Sequence, residues 1–482
     1  MRFFFLVFLG FLFLFPPKAW PQLSGTFDLS ADFDAELTGK AMGDYSGYSV
    51  SSAGDVNCDG TDDVIIGAPF NDDGASNAGA AFVVFGPVTS SVNLGSADIE
   101  WTGEAASDYA GYDVAGAGDL NGDGCDDVLI GAIYQDATGT NAGRVYLFYG
   151  SSSLAGGSLS TSDVLYDGTN AGDYAGTSVA GAGDVNGDGY DDILIGAPGN
   201  DLFRLNAGAV YLVFGSSSLT NMVLTGADVR FFGEYKSDYA GTAVSGAGDF
   251  NGDGLADILI GSWDNNRGGN DSGAAYLILG KTTPFLRFSY LSAADMILAG
   301  ENASDSAGYA VASGGDVNGD GYDDLFIGAR YNDDLVSNGG AAYVVFGRDT
   351  LTRLVSLSSA DIKLQGDTLS ERAGSSVAGA GDVNADGYDD LLVGAPYNVN
   401  GGFSAGAVYL VYGGSGLSPK IALSGSDAIF EGGKTYDYAG FTVSGAGNID
   451  GDAAGYADIL IGAYWNDDYD WNAGSTYLFF GE

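Results

Sequence analysis

The chain has no histidine, two cysteines, nine prolines and 17 basic residues among its 482. Each shortage removes something. Without histidine the commonest general base and metal–water ligand are missing, so an enzyme that relies on them is not expected. Seventeen Lys and Arg against 64 Asp and Glu give 17 − 64 = −47. A surface of that sign has no basic footprint for phosphate, which excludes nucleic acid and anionic membranes as partners. Two cysteines cannot build the framework of a small disulfide-rich domain, and a chain this long does not need one. Nine prolines beside 80 glycines exclude collagen and proline-rich linkers and leave many tight turns between short strands. Long apolar runs are also lacking, apart from Phe3 to Phe15, which Pro16 and Pro17 end. That run is shorter than the roughly 20 residues a bilayer span needs. With Arg2 before it, residues 1–22 read as a secretory signal cut near Ala19, so a secreted or cell-surface protein without a transmembrane segment is expected.

What the chain has in abundance is one nine-residue stretch. DVNGDGYDD, Asp184 to Asp192, puts Asp184, Asn186, Asp188 and Asp192 at positions 1, 3, 5 and 9, with the Tyr190 carbonyl at position 7. Hard oxygen donors at alternate positions and a glycine at position 6, Gly189, are the chemistry of a calcium loop. The ninth residue runs into Ile193, Leu194 and Ile195, so the exit is a strand rather than a helix. Five further regular copies assign Asp55, Asn57, Asp59, Thr61, Asp63; Asp119, Asn121, Asp123, Cys125, Asp127; Asp249, Asn251, Asp253, Leu255, Asp257; Asp316, Asn318, Asp320, Tyr322, Asp324; and Asp382, Asn384, Asp386, Tyr388, Asp390. A seventh copy begins at Asn448, keeps Asp450, Asp452 and Asp458 and carries two extra residues; its occupancy is left open. Position 8 is Asp in five of the regular loops and Ala256 in another, so it is not read as a ligand. Seven bound calcium ions would bring the charge to −47 + 14 = −33.

Successive starts lie 64, 65, 65, 67, 66 and 66 residues apart, and a fixed period of this kind marks a repeat architecture. The third copy shows the unit: YAGTSVAGAGDV (174–185), DILIGAP (192–198), AGAVYLVFG (207–215) and ADVRFFG (227–233). Short β-branched and aromatic runs bounded by Gly, Ser and Asn are strand signals. The fold class expected is all-β, a seven-bladed β-propeller of four-stranded antiparallel blades over residues 27–482, its small-residue first strands at the crowded centre. The fourth-strand pattern occurs at the N-terminus as ADFDAELTG (31–39), while the last unit stops after AGSTYLFFG (473–481). Strand 31–39 should therefore complete the last blade and close the ring, leaving no open edge there. Cys58 and Cys125 occupy positions 4 and 7 of neighbouring loops. Two free thiols are expected, with a bridge open if the Cα atoms lie within about 7 Å.

The alternation of FG (Phe85-Gly86, Phe214-Gly215, Phe346-Gly347, Phe480-Gly481) with GAP (67–69, 196–198, 394–396) around DxNxDGxxD resembles the FG-GAP repeats of integrin α-subunit propellers and their bacterial relatives. GAI, GSW, GAR and GAY replace GAP at Gly131, Gly261, Gly328 and Gly462. The resemblance implies a calcium-binding adhesion or recognition module, not an enzyme, whose partner is an extracellular protein or glycan. The second-to-third strand loops should emerge opposite the calcium loops, and they vary most between copies. Trp263, Arg267, Trp465 and Trp471 in those loops are the candidate contact residues, since aromatics and arginine make effective anchors. The recurrent Tyr45, Tyr109, Tyr174, Tyr239 and Tyr438 of the DYAG pattern are read as packing. A polysaccharide-active, lyase-like enzyme and a structural surface or matrix component are the alternatives, and the sequence does not fix the oligomeric state.

Overall fold

The computed structural model describes residues 23–481; the export signal expected over 1–22 lies outside them. Seven sheets are arranged in a ring. In the third blade the strands are Ser178–Gly183, Asp192–Ala197, Ala209–Val213 and Val229–Phe232, antiparallel and in chain order. The second and third strands of that blade are buried at every position, because a blade is covered on both faces by its neighbours and its strands read as continuous apolar runs. The core is accordingly split into seven layers between blades. One of them packs Leu129 and Tyr166 of the second blade against Ile193 and Tyr211 of the third.

The first strands line the axis. Val50, Val114, Val179, Val244, Val311, Val377 and Val443 surround a central cavity of about 380 Å³. Glycine here serves approach between blades. A Cβ on Gly67 would strike the Gly111 carbonyl, and one on Gly196 the Gly241 carbonyl. Gly131, Gly261, Gly328 and Gly462 meet Gly176, Gly308, Gly374 and Gly47 in the same way. That is why the glycine of GAP survives in all seven blades while the proline does not.

The ring closes as the repeat pattern requires. Ala35–Thr38 pairs antiparallel with the last strand, Ala35 opposite Leu478 and Thr38 opposite Ser475. Across that seam Ala35 and Leu37 join Leu460 and Leu478 of the seventh blade and Val64 and Phe82 of the first in one buried layer. Four-stranded blades were expected; the structure adds a fifth strand to each sheet. This strand is short and parallel, and it comes from the segment that precedes the fourth strand of the next blade. Gly157–Ser158 joins Ile99–Thr102, and Phe288–Tyr290 joins Val229–Phe232. The N-terminal Gly25–Asp28 takes the same place beside Ala428–Glu431 of the sixth blade, so the N-terminal segment is bound to the last two blades through two strands. Strands of two to four residues lack the length for a periodic signal, which hides them in the sequence. Six three-residue 3₁₀ turns, such as Leu224–Gly226, are the helical elements among the described residues.

Candidate cation loops and candidate recognition face

The nine-residue loops join first to second strands at one face of the ring, and a common set of hydrogen bonds shapes them. In the third loop Asp184 Oδ1 accepts from the amides of Gly187 and Asp188, and Oδ2 from Gly189. Gly189 has φ +90°, the conformation that glycine at position 6 adopts without strain. Asp192 is fully buried and bridges two elements: Oδ2 accepts from Val185 N–H and Oδ1 from Gly215 N–H. The amide of Phe214 donates to Asp228 of ADVRFFG. The FG dipeptide is thus the point at which two amides hold the loop aspartate and the fourth-strand aspartate together. The same glycine bond recurs at Asp63, Asp127, Asp257, Asp324, Asp390 and Asp458. Burial pushes these seven carboxyls up to about 7 despite the amide donors, and nearby loop carboxylates add to the rise.

All donors in these loops are oxygens, as a hard cation requires, and Asn57 Oδ1 at position 3 of the first loop is buried with no hydrogen-bond partner. An orphaned acceptor there fits a cation. Among the described residues, however, no three acidic side chains converge into one metal-holding cluster. The position-9 aspartates spend both oxygens on amides, leaving their second lone pairs for an ion. The seventh loop keeps the glycine clamp through Asp458 but starts with a neutral donor, Asn448, whose Oδ1 accepts from Asp452 N–H at 3.0 Å.

Neighbouring loops are stitched together. Asp126, at position 8 of the second loop, accepts from the Asp55 amide at 2.8 Å, and Asp191 from the Asp119 amide at 2.9 Å. Position 8 therefore binds blade to blade, consistent with its absence from the ligand set. A Cβ added at position 4 would meet the position-7 side chain of the following loop: Gly122 meets Tyr190, and Gly252 meets Tyr322. Cys58 and Cys125 occupy this pair of positions. Contrary to the expectation of two free thiols, they form a disulfide, with Cα atoms 5.2 Å apart. The signal was present in the numbering, but that positions 4 and 7 of successive loops touch is a fact of the ring.

The opposite face carries the variable loops. Here Asp173, Asp238, Asp305 and their counterparts lie buried. Asp238 accepts from Asn265 Nδ2 at 3.0 Å, and Asn265 also donates to the Tyr276 hydroxyl at 2.9 Å. Burial raises Asp44, Asp108 and Asp238 to about 6 and Asp437 to about 7. The DYAG tyrosines build a belt: Tyr45, Phe70, Tyr109, Tyr134 and Tyr174 follow one another at centroid spacings of 4.8, 4.9, 5.1 and 5.8 Å. Trp263 stacks on Tyr239 at 5.6 Å. Arg267 is held by Glu234 through Nε at 2.8 Å and Nη2 at 2.5 Å, so its guanidinium is already engaged. Trp465 packs beside Tyr438 and Tyr45 yet is 36% exposed, and Trp471 is 65% exposed. The structure thus separates the four candidates into two that are packed or paired and two that are open.

Sequence reasoning missed the mouth of the axis. Tyr48, Tyr112, Tyr309 and Phe441, four residues after the acid of each DYAG-type turn, ring a cavity of about 230 Å³ together with Asp113 and Arg330. Arg330 lies 3.8 Å over Tyr309. Asp113 accepts from Ser49 Oγ and Val179 N–H, and burial pushes it up to about 6. The signal was that this one position carries Tyr, Thr, Ser or Phe from blade to blade.

Comparison with known proteins supports the repeat reading. The FG-GAP repeat family matches residues 46–84, 110–148, 175–213, 240–278, 307–345 and 373–411, one stretch in each of the first six blades. Similar curated proteins include integrin alpha-5 of Xenopus laevis, 32% identical over 234 residues, which covers 45% of this chain and 20% of that protein. Integrin alpha-V of Gallus gallus is 32% identical over 234 residues, 48% of this chain and 20% of its own length. Integrin alpha-IIb of Mus musculus is 37% identical over 172 residues, 35% and 16% respectively. The chain thus spans about a fifth of the length of the curated relatives it matches. No helix among the described residues is long and apolar enough to cross a membrane.

Proposed function

This chain is an FG-GAP repeat protein, and we propose that it acts as an exported, calcium-stabilised propeller that recognises an extracellular protein or glycan and has no catalytic role of its own. The observation that carries this reading is the division of labour between the two faces. One repeats the same loop scaffold blade after blade, whereas the other presents loops of different sequence with exposed aromatics, among them Trp465 and Trp471. Side chains that differ from blade to blade on a rigid frame are where binding specificity resides.

In this reading calcium is structural. Positions 1, 3, 5 and 9 with the position-7 carbonyl, Asp184, Asn186, Asp188, Asp192 and Tyr190 in the third loop, hold the ion and keep the loop against its neighbour. The test is to screen the protein lacking residues 1–22 against immobilised glycans and extracellular-matrix proteins, with millimolar calcium and with chelator. Specific capture in calcium that Trp465→Ala or Trp471→Ala reduces at least tenfold, with the fold intact, supports recognition by this face. Capture that neither substitution alters, or none at all, counts against it.

A further inference from the structure

The fourth strand of the third blade, Val229–Phe232, carries Arg230 at a position where the first and fifth blades carry charges paired with opposite ones. In the fifth blade the equivalent Lys363 meets Glu301 at 2.6 Å and Asp334 at 2.5 Å. In the first blade the equivalent Glu100 meets Lys40 at 2.7 Å. The repeat register puts Thr169 and Leu202 in the third blade where Glu301 and Asp334 stand in the fifth. Arg230 is therefore left without an acid. It is 8% exposed, has no salt bridge among the described residues, and its Nε is buried with no acceptor. Its guanidinium lies 4.1 Å over the Phe288 ring, which does not replace the missing anion. A cation buried at Nε without counter-charge is unfavourable unless something supplies one at its accessible end.

Around it lies an exposed apolar edge. Leu202 is 53%, Phe203 48%, Phe288 51% and Tyr290 45% exposed. Phe203 packs edge-on against Phe232 at 4.6 Å and Tyr290 at 5.3 Å. Strand Phe288–Tyr290 is the outermost of its sheet and is paired on one side only. Arg204 and Arg287 flank it and donate to the carbonyls of Glu234 and Thr225, neither being in a salt bridge among the described residues. On a chain of charge −47 this is an apolar edge with three arginines that no carboxylate of the described residues pairs with.

We propose that this edge of the third blade docks an acidic segment of a partner polypeptide. Its apolar side chains cover Leu202, Phe203, Phe288 and Tyr290, and its carboxylate takes the place beside Arg230 that Glu301 and Asp334 take beside Lys363. The exposed Leu202 next to the rings favours a polypeptide over a sugar chain, whose rings stack on aromatics. The inference deepens the recognition reading and rests on it; it places the contact on the third blade, where Leu202 and Phe203 belong to that blade's variable loop, rather than on the seventh blade with Trp465.

The probe is a set of octapeptides alternating Glu with Leu or Phe, with Gln-for-Glu counterparts and polygalacturonate as the carbohydrate arm. The Glu peptides should bind at least tenfold more tightly than the Gln set. Arg230→Leu, which copies Leu165 of the second blade, should weaken binding at least tenfold. Thr169→Glu with Leu202→Asp rebuilds the fifth-blade arrangement within the chain; it should abolish peptide binding and raise the melting temperature. Equal binding of Gln peptides, wild-type binding by that double variant, polygalacturonate bound in place of peptide, or no peptide bound would each overturn the proposal. If the peptides fail while capture sensitive to Trp465→Ala persists, this surface is wrong and the recognition reading stands. If neither surface captures anything, both fall.

Discussion

Cys58 and Cys125 show what a single residue gains from its place in the repeat. At four other seams the position-4 to position-7 contact is glycine against a tyrosine or leucine side chain; here it is covalent, across 67 residues of chain. Closing a loop of that length restricts the unfolded chain and is worth about 2–4 kcal/mol. Cys58→Ser with Cys125→Ser should therefore lower stability by about that amount without loss of the fold, because the other seams hold without a bond. Denaturant curves of the two proteins measure it, and coincident midpoints would deny the bridge a stabilising role. Asp238 makes a second case. Its carboxyl titrates near 6 in the fold against an ordinary 3.8, so between those values the folded state holds a proton that the unfolded chain has lost. Stability then falls as pH rises from about 4 to about 6, by at most about 3 kcal/mol for this group. Asp238→Asn should flatten that segment of the stability profile, and an unchanged slope would refute the assignment.

Among the elements, the N-terminal strand Ala35–Thr38 matters most, since it supplies the fourth strand of a blade whose first three strands lie more than 400 residues away. Leu37 is fully buried in the layer that spans the seam. Leu37→Ala should cost about 2–4 kcal/mol, as large-to-small changes in packed cores do, and should speed unfolding because the ring opens at its one non-covalent junction. Stopped-flow unfolding beside an equilibrium curve checks both effects; a loss below about 1 kcal/mol would mean that the seam does not need this strand. The short parallel strands act in the same direction. Each ties a blade to the one after it, so Gly25–Asp28 gives the closure a second attachment on the sixth blade.

At the scale of the whole molecule the governing quantity is charge. A formal −47 repels itself, and the loop aspartates, held near 7 by burial, are unfavourable as anions until a cation neutralises them. If calcium binds the folded loops and not the unfolded chain, each site adds about 2.7 kcal/mol when free calcium is 100 times its dissociation constant. Chelation should then lower the melting temperature by on the order of 10 °C or more, and calcium should restore it where sodium at equal ionic strength does not. Calorimetry in the three buffers decides it; equal midpoints with calcium and with chelator would end the structural role proposed for the ion.

Periodicity alone determined the blade count, the strand order and the closure by 31–39, because a 65-residue repeat whose fourth-strand motif is displaced from one end of the chain to the other has one economical arrangement. It also located the candidate cation loops, since their ligands are local and spacing carries the chemistry. Only the tertiary structure decided what lies between blades. That Cys58 meets Cys125, that Arg267 is held by Glu234, that Arg230 lacks the acids given to Lys363, and that Tyr48 and Tyr309 share one mouth with Arg330 all depend on which positions of different repeats face each other. A repeat pattern specifies the unit; the angle at which units pack sets the neighbours, and that angle comes from side-chain volumes and glycine contacts summed around the ring.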